Sequence, residues 1–126
     1  MPEILVVDDE PLIRQLLIEV LEGEGFSVVS AANGLQALVK YQLHAKDIDL
    51  VISDVVMAEM NGPALARRLL AERPDLPIIL MSDQADTCDL GSQSIVRFLS
   101  KPFDLESLVS TVRGLVAEGR STISTR

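Results

Sequence analysis

At 126 residues the chain has room for one domain with a substantial core, and none for a second folded module beside it. Hydrophobic residues reach 48% while aromatics are only 3%, so the core must be built from Leu, Ile, Val and Ala, with Phe26, Phe98 and Phe103 as its few rings. A net charge of -8 argues against direct nucleic-acid binding, the single Cys88 has no internal partner, and no export signal or apolar run of roughly 20 residues occurs, so a cytoplasmic domain without membrane contact is expected.

The first apolar segment, Ile4-Leu5-Val6-Val7, is short and β-branched and runs straight into Asp8, Asp9 and Glu10. Pro11 then opens a helix whose Ile13, Leu16, Leu17, Val20 and Leu21 share one stripe, and Gly23 and Gly25 end it. A second strand, Phe26-Ser27-Val28-Val29, leads to a weaker helical stripe of Leu35, Leu38 and Val39. The third strand, Leu50-Val51-Ile52, ends on Ser53 and Asp54. Asn61 is placed to cap a third helix with Pro63 just inside it; Leu65, Ala66, Leu69 and Leu70 form its stripe, and Pro74 stops it.

Ile78-Ile79-Leu80-Met81 is the fourth strand, followed by Ser82 and Asp83. The polar stretch from Asp83 to Ser94 admits at most a short helix of about two turns. Ile95 to Leu99 is the fifth strand, with Lys101 just past its end. Asp104 caps the clearest helix, in which Leu105, Leu108, Val109, Val112, Leu115 and Val116 recur at helical spacing; a domain over residues 1–118 and a frayed polar tail over 119–126 are expected.

Strands that are apolar on both faces and alternate with helices predict an α/β domain: an open, doubly wound parallel sheet whose sites lie at the carboxyl ends of the strands. Those ends carry Asp8, Asp9, Asp54, Ser82 and Lys101. Carboxylates about 4 Å apart repel by roughly 4 kcal/mol per pair at a surface-like dielectric, and a divalent cation removes that conflict. An oxygen-only donor set with no Cys/His cluster favours Mg2+, with Mn2+ as a substitute. Phosphoryl transfer to Asp54 then makes chemical sense, with Lys101 and Ser82 handling charge on the phosphoryl oxygens.

Taken singly these residues are ordinary: an acidic turn after a strand, a surface lysine, a core phenylalanine. Together and in this order they resemble the receiver domain of two-component response regulators over about residues 3 to 118, through Val6-Val7-Asp8-Asp9-Glu10, Asp54 with Met57 and Asn61-Gly62, and Lys101-Pro102-Phe103. The resemblance implies a (βα)5 flavodoxin-like five-stranded fold and Asp54 as phosphoacceptor. By that likeness Asp9, Asp54 and the Val56 backbone carbonyl ligate Mg2+, Asp8 acts mainly through water, and Ser82 and Phe98 form a switch pair. It further implies phosphorelay signalling without metabolic catalysis, a histidine kinase or histidine phosphotransfer domain as partner, and a monomer or weak dimer.

Asn61-Gly62-Pro63-Ala64-Leu65-Ala66 and Phe98-Leu99-Ser100-Lys101-Pro102-Phe103 are similar to receivers of hybrid sensor histidine kinases. Two positions and one segment depart from the family pattern: Ala58 replaces the usual Pro, Asp83 follows Ser82 where a small residue is usual, and the stretch from Ser82 to Lys101 is short, so a short or irregular fourth helix is expected. Asp83 is expected to slow phosphorylation. A pseudo-receiver that binds partners without phosphorylation is the main alternative. A phosphatase of the haloacid dehalogenase type lacks its Asp-x-Asp signature here, and an FMN carrier lacks its Ser/Thr/Gly-rich phosphate loop. His44 and Cys88 are read as bystanders, His44 as a solvated residue without an acidic neighbour.

Overall fold

The computed structural model describes residues 2–44, 46–57, 60–82, 96–100 and 104–124; for Ser82, Ser100 and 118–124 it describes the backbone path. The elements run β1 (Glu3–Val7), α1 (Pro11–Gly23), β2 (Ser27–Ala31), α2 (Gly34–His44), β3 (Ile48–Asp54), α3 (Gly62–Glu72), β4 (Ile78–Ser82), β5 (Val96–Ser100) and α4 (Leu105–Ser124). All the strand pairings are parallel, in the order β2-β1-β3-β4-β5. The order reverses direction between β1 and β3, and an open α/β sheet forms its crevice beyond the carboxyl ends of such strands.

The pleat sends alternate residues to opposite faces, and both faces are apolar. Leu5, Val7, Val51, Ile78, Leu80 and Val96 pack with Ala37 and Tyr41 of α2 and Leu65, Ala66 and Leu69 of α3. Ile4, Val6, Leu50, Ile52, Ile79 and Met81 pack on the other side with Leu17 and Leu21 of α1 and Leu108, Val112, Leu115 and Val116 of α4. Each fully buried aliphatic side chain contributes about 1.5–3 kcal/mol of transfer free energy, so the two apolar layers drive the fold. Aromatic rings are scarce in both, as the composition requires.

Helix boundaries follow local chemistry. Pro11 occupies the first turn of α1, where its missing N–H costs nothing, and Gly25 leaves the helix with φ 96°, in the left-handed region that favours glycine. In α3 the Asn61 side chain accepts a hydrogen bond from the Ala64 N–H at 2.8 Å, with Pro63 inside the first turn, as expected.

Two expectations change. Phe26 precedes β2 instead of opening it; its buried ring packs in the α1/α4 layer, with the Arg113 guanidinium 5.5 Å from the ring centre. The inward stripe of α2 is Ala37, Leu38 and Tyr41, whereas Leu35 and Val39 are exposed. The helical backbone of α4 runs from Leu105 to Ser124. The expected short helix between Asp83 and Ser94 lies outside the described residues.

Candidate metal and phosphoacceptor site

β1 and β3 are neighbours in register, with Val7 opposite Ser53, so the residues that follow them emerge side by side at one rim. Asp8 continues from β1 and Asp54 is the last residue of β3. Asp8, Asp9 and Asp54 each bring a carboxylate oxygen to within 4.8 Å of the other two. Asp8 is fully buried, Asp54 is 8% exposed, and Asp9 faces solvent.

Backbone contacts hold this arrangement. The Asp8 N–H donates to the Ala31 carbonyl of β2 at 3.2 Å, and the Glu10 N–H donates to Asp8 Oδ1 at 2.9 Å. Arg14, one turn into α1, donates from its guanidinium to the Asp8 carbonyl at 2.7 Å. That bond ties the acidic turn to the helix that follows it.

On the β3 side, the Val55 N–H donates to the Met81 carbonyl at 2.9 Å and the Gly62 N–H donates to the Val55 carbonyl at 2.9 Å. The start of α3 therefore lies against the end of β3. Gly62 is needed for this approach, because a Cβ there would collide with the Asp54 carbonyl oxygen and stand 3.0 Å from Val55 Cα. The Ser53 hydroxyl donates to the Asp54 carbonyl at 2.9 Å, and Met57 is buried beneath the loop while Val56 is exposed.

The donor set is carboxylate oxygen alone, partly dry and concentrated in charge. Such a set fits a hard divalent cation that keeps waters, as Mg2+ does, and does not fit a soft metal. Asp8, Asp9 and Asp54 are the residues able to hold it.

Of the other site residues named from the sequence, Ser82 ends β4, with Met81 paired to Asp54 across the ladder. Phe98 lies in β5 opposite Leu80, partly buried against the α2/α3 layer. Lys101 and the departures at Ala58 and Asp83 lie outside the described residues, as does Cys88. His44, read as a solvated bystander, has 41% of its side chain exposed, and its Nδ1 stands 3.8 Å from Glu3 Oε1. The sequence hid that contact because the two residues are distant in the chain and meet only when α2 returns beside β1. Among the described residues no helix is long and apolar enough to cross a membrane.

Comparison with known proteins agrees with this geometry. The response regulator receiver domain family matches residues 4–113. The sensor kinase CckA of Brucella abortus is 36% identical over 116 residues, which cover 90% of this chain but 12% of the kinase. The solved receiver domain of the hybrid histidine kinase CckA superposes with a TM-score of 0.78 at 32% identity, covering 90% of this chain and 98% of that one. Response regulator TrrA of Thermotoga maritima, solved in complex with Mg2+-BeF, gives a TM-score of 0.81 at 37% identity, over 91% of this chain and 99% of that one. A parallel sheet in the order 2-1-3-4-5 with clustered acids at its switch point, in a sequence matched over most of its length, makes this chain a member of the response regulator receiver domain family.

Proposed function

We propose that the domain accepts a phosphoryl group from a phosphohistidine onto Asp54 and uses the modified state to control a partner or a linked domain. The observation that carries this reading is the meeting of the Asp8, Asp9 and Asp54 carboxylates at the ends of adjacent strands. In the transfer, an oxygen of Asp54 forms a bond to phosphorus as the P–N bond of phosphohistidine breaks, and the bonding pair leaves with the imidazole nitrogen, which takes up a proton. Bound Mg2+ supplies charge neutralisation for the phosphoryl oxygens and the crowded carboxylates.

The chain's own residues orient the acceptor. Burial and the ladder contacts of β3 hold the Asp54 backbone, and the Glu10 N–H and Arg14 fix the Asp8 turn beside it. Asp9, Asp54 and the Val56 carbonyl are assigned as direct ligands, with Asp8 acting through water. Lys101 follows directly on β5 and is assigned to one phosphoryl oxygen, Ser82 to another. Ser82 and Phe98 form the switch: the hydroxyl moves toward the phosphoryl group and the ring turns into the space behind it.

The partner is a histidine kinase or a histidine phosphotransfer domain. No kinase activity is assigned to the domain itself; hydrolysis of its own aspartyl phosphate is slow. Resemblance to a hybrid kinase receiver supports a role within a phosphorelay of that kind.

Incubation with phosphoramidate and Mg2+, read by intact mass, tests the proposal. The chain gains one phosphoryl group, and no gain occurs when Mg2+ is chelated beforehand or in Asp54→Asn. A chain that stays unmodified under these conditions, yet binds its partner, is a pseudo-receiver.

A further inference from the structure

A second cluster of ligand groups stands at the opposite end of the sheet. Glu3 opens β1, His44 closes α2, and Asp47 lies in the turn that leads into β3. Each offers a ligand atom within 4.8 Å of the other two, one imidazole nitrogen and two carboxylate oxygens. The turn is held by the Asp47 N–H donating to the His44 carbonyl at 2.8 Å.

Glu3 is pre-oriented. Its Oε2 accepts from the Ser27 hydroxyl at 3.3 Å, and its backbone N–H donates to Asp49 Oδ2 at 3.0 Å. Its Oε1 is shut off from solvent with no hydrogen-bond donor on it among the described residues, and faces His44 Nδ1 at 3.8 Å. A buried acceptor left in that condition is costly, and a cation relieves the cost. An imidazolium would answer Glu3 alone and leave the solvent-exposed Asp47 carboxylate unengaged. A metal ion answers all three.

We infer that Glu3, His44 and Asp47 form a binding site for a divalent transition metal of the Zn2+ class, separate from the acidic rim at Asp54. An imidazole nitrogen with two carboxylates is a zinc-type donor set, with water able to take the fourth tetrahedral position. Ligand lengths of about 2.0–2.2 Å place tetrahedral donors roughly 3.4 Å apart. The present spacing therefore closes by side-chain rotation, for which Asp47 and half-exposed His44 have room. The two sites differ in hardness: nitrogen at the amino end of the strands, oxygen alone at the carboxyl end.

Calorimetric titration of the whole chain with Zn2+, under saturating Mg2+ to occupy the rim, tests this. One equivalent binds, affinity falls at least tenfold in His44→Ala, and Asp54→Asn binds as the parent does. In the parent, Zn2+ also shifts the His44 imidazole resonances. No binding, equal binding by His44→Ala, or loss of binding in Asp54→Asn overturns the inference and leaves an ordinary His44–Glu3 ion pair. Phosphorylation of Asp54 is read separately, so failure here leaves the phosphoacceptor assignment standing.

Discussion

Gly62 shows how a single missing atom positions chemistry. Its Cα sits where any side chain would strike the Asp54 carbonyl, so the start of α3 can lie against the end of β3. Gly62→Ala is expected to destabilise the domain by about 1–3 kcal/mol, the usual cost of overpacking, and, if Asp54 is the acceptor as proposed, to slow phosphorylation because the collision is with that residue. Chemical denaturation and transfer kinetics on the same sample check both effects. The rim acids behave differently, because their cost is electrostatic. Asp9→Asn removes one of three mutually repelling carboxylates, so without Mg2+ the variant melts higher than the parent, while Mg2+ raises its melting temperature less. An unchanged response to Mg2+ in that variant would remove Asp9 from the ligand set.

At the scale of elements, the helices differ in how they are tied down. α3 depends on its cap: Asn61→Ala loses the bond to the Ala64 N–H and is expected to cost about 1 kcal/mol in denaturation. α4 is held by burial, and Leu108→Ala, at a fully buried position in the α1/α4 layer, costs about 2–5 kcal/mol. Arg113 links α4 to the end of α1 through Glu24 and lies over the Phe26 ring. Both partners of that ion pair are about half exposed, so solvent screening limits it to under about 1 kcal/mol, and Arg113→Ala should be far milder than Leu108→Ala. α2 places Leu35, Val39 and Leu43 on its solvent side at successive turns, so counting apolar residues identifies Leu38 correctly and misplaces Leu35 and Val39. Ala37 and Tyr41 sit inward because the strand-to-helix turn sets the rotation of α2, and one helix's own pattern does not contain that information.

For the molecule as a whole, the parallel sheet turns sequence order into a spatial sum. Every strand points the same way, so every strand exit contributes to one rim, and the reversal of order between β1 and β3 opens the crevice there. Binding of a cation at that rim stabilises the folded state by mass action: about 2.7 kcal/mol when Mg2+ is present at 100 times its dissociation constant. A thermal melt with and without Mg2+ is expected to show this rise, and Asp54→Asn is expected to reduce it. The opposite rim gathers the strand beginnings by the same geometry, which brings Glu3 to His44 and Asp47.

Much was legible without coordinates. Short β-branched runs alternating with amphipathic stripes specify a parallel α/β sheet, since only a strand covered on both faces is apolar throughout. The acids at the ends of β1 and β3 were readable as a site because a parallel sheet sends all its strand exits to one side. Tertiary structure alone decided which helix faces turn inward, that Phe26 and Arg113 meet, that Gly62 lets the acceptor loop close, and that His44 has acidic company. Each depends on how separate elements meet, and periodicity within a segment carries no record of what will lie against it.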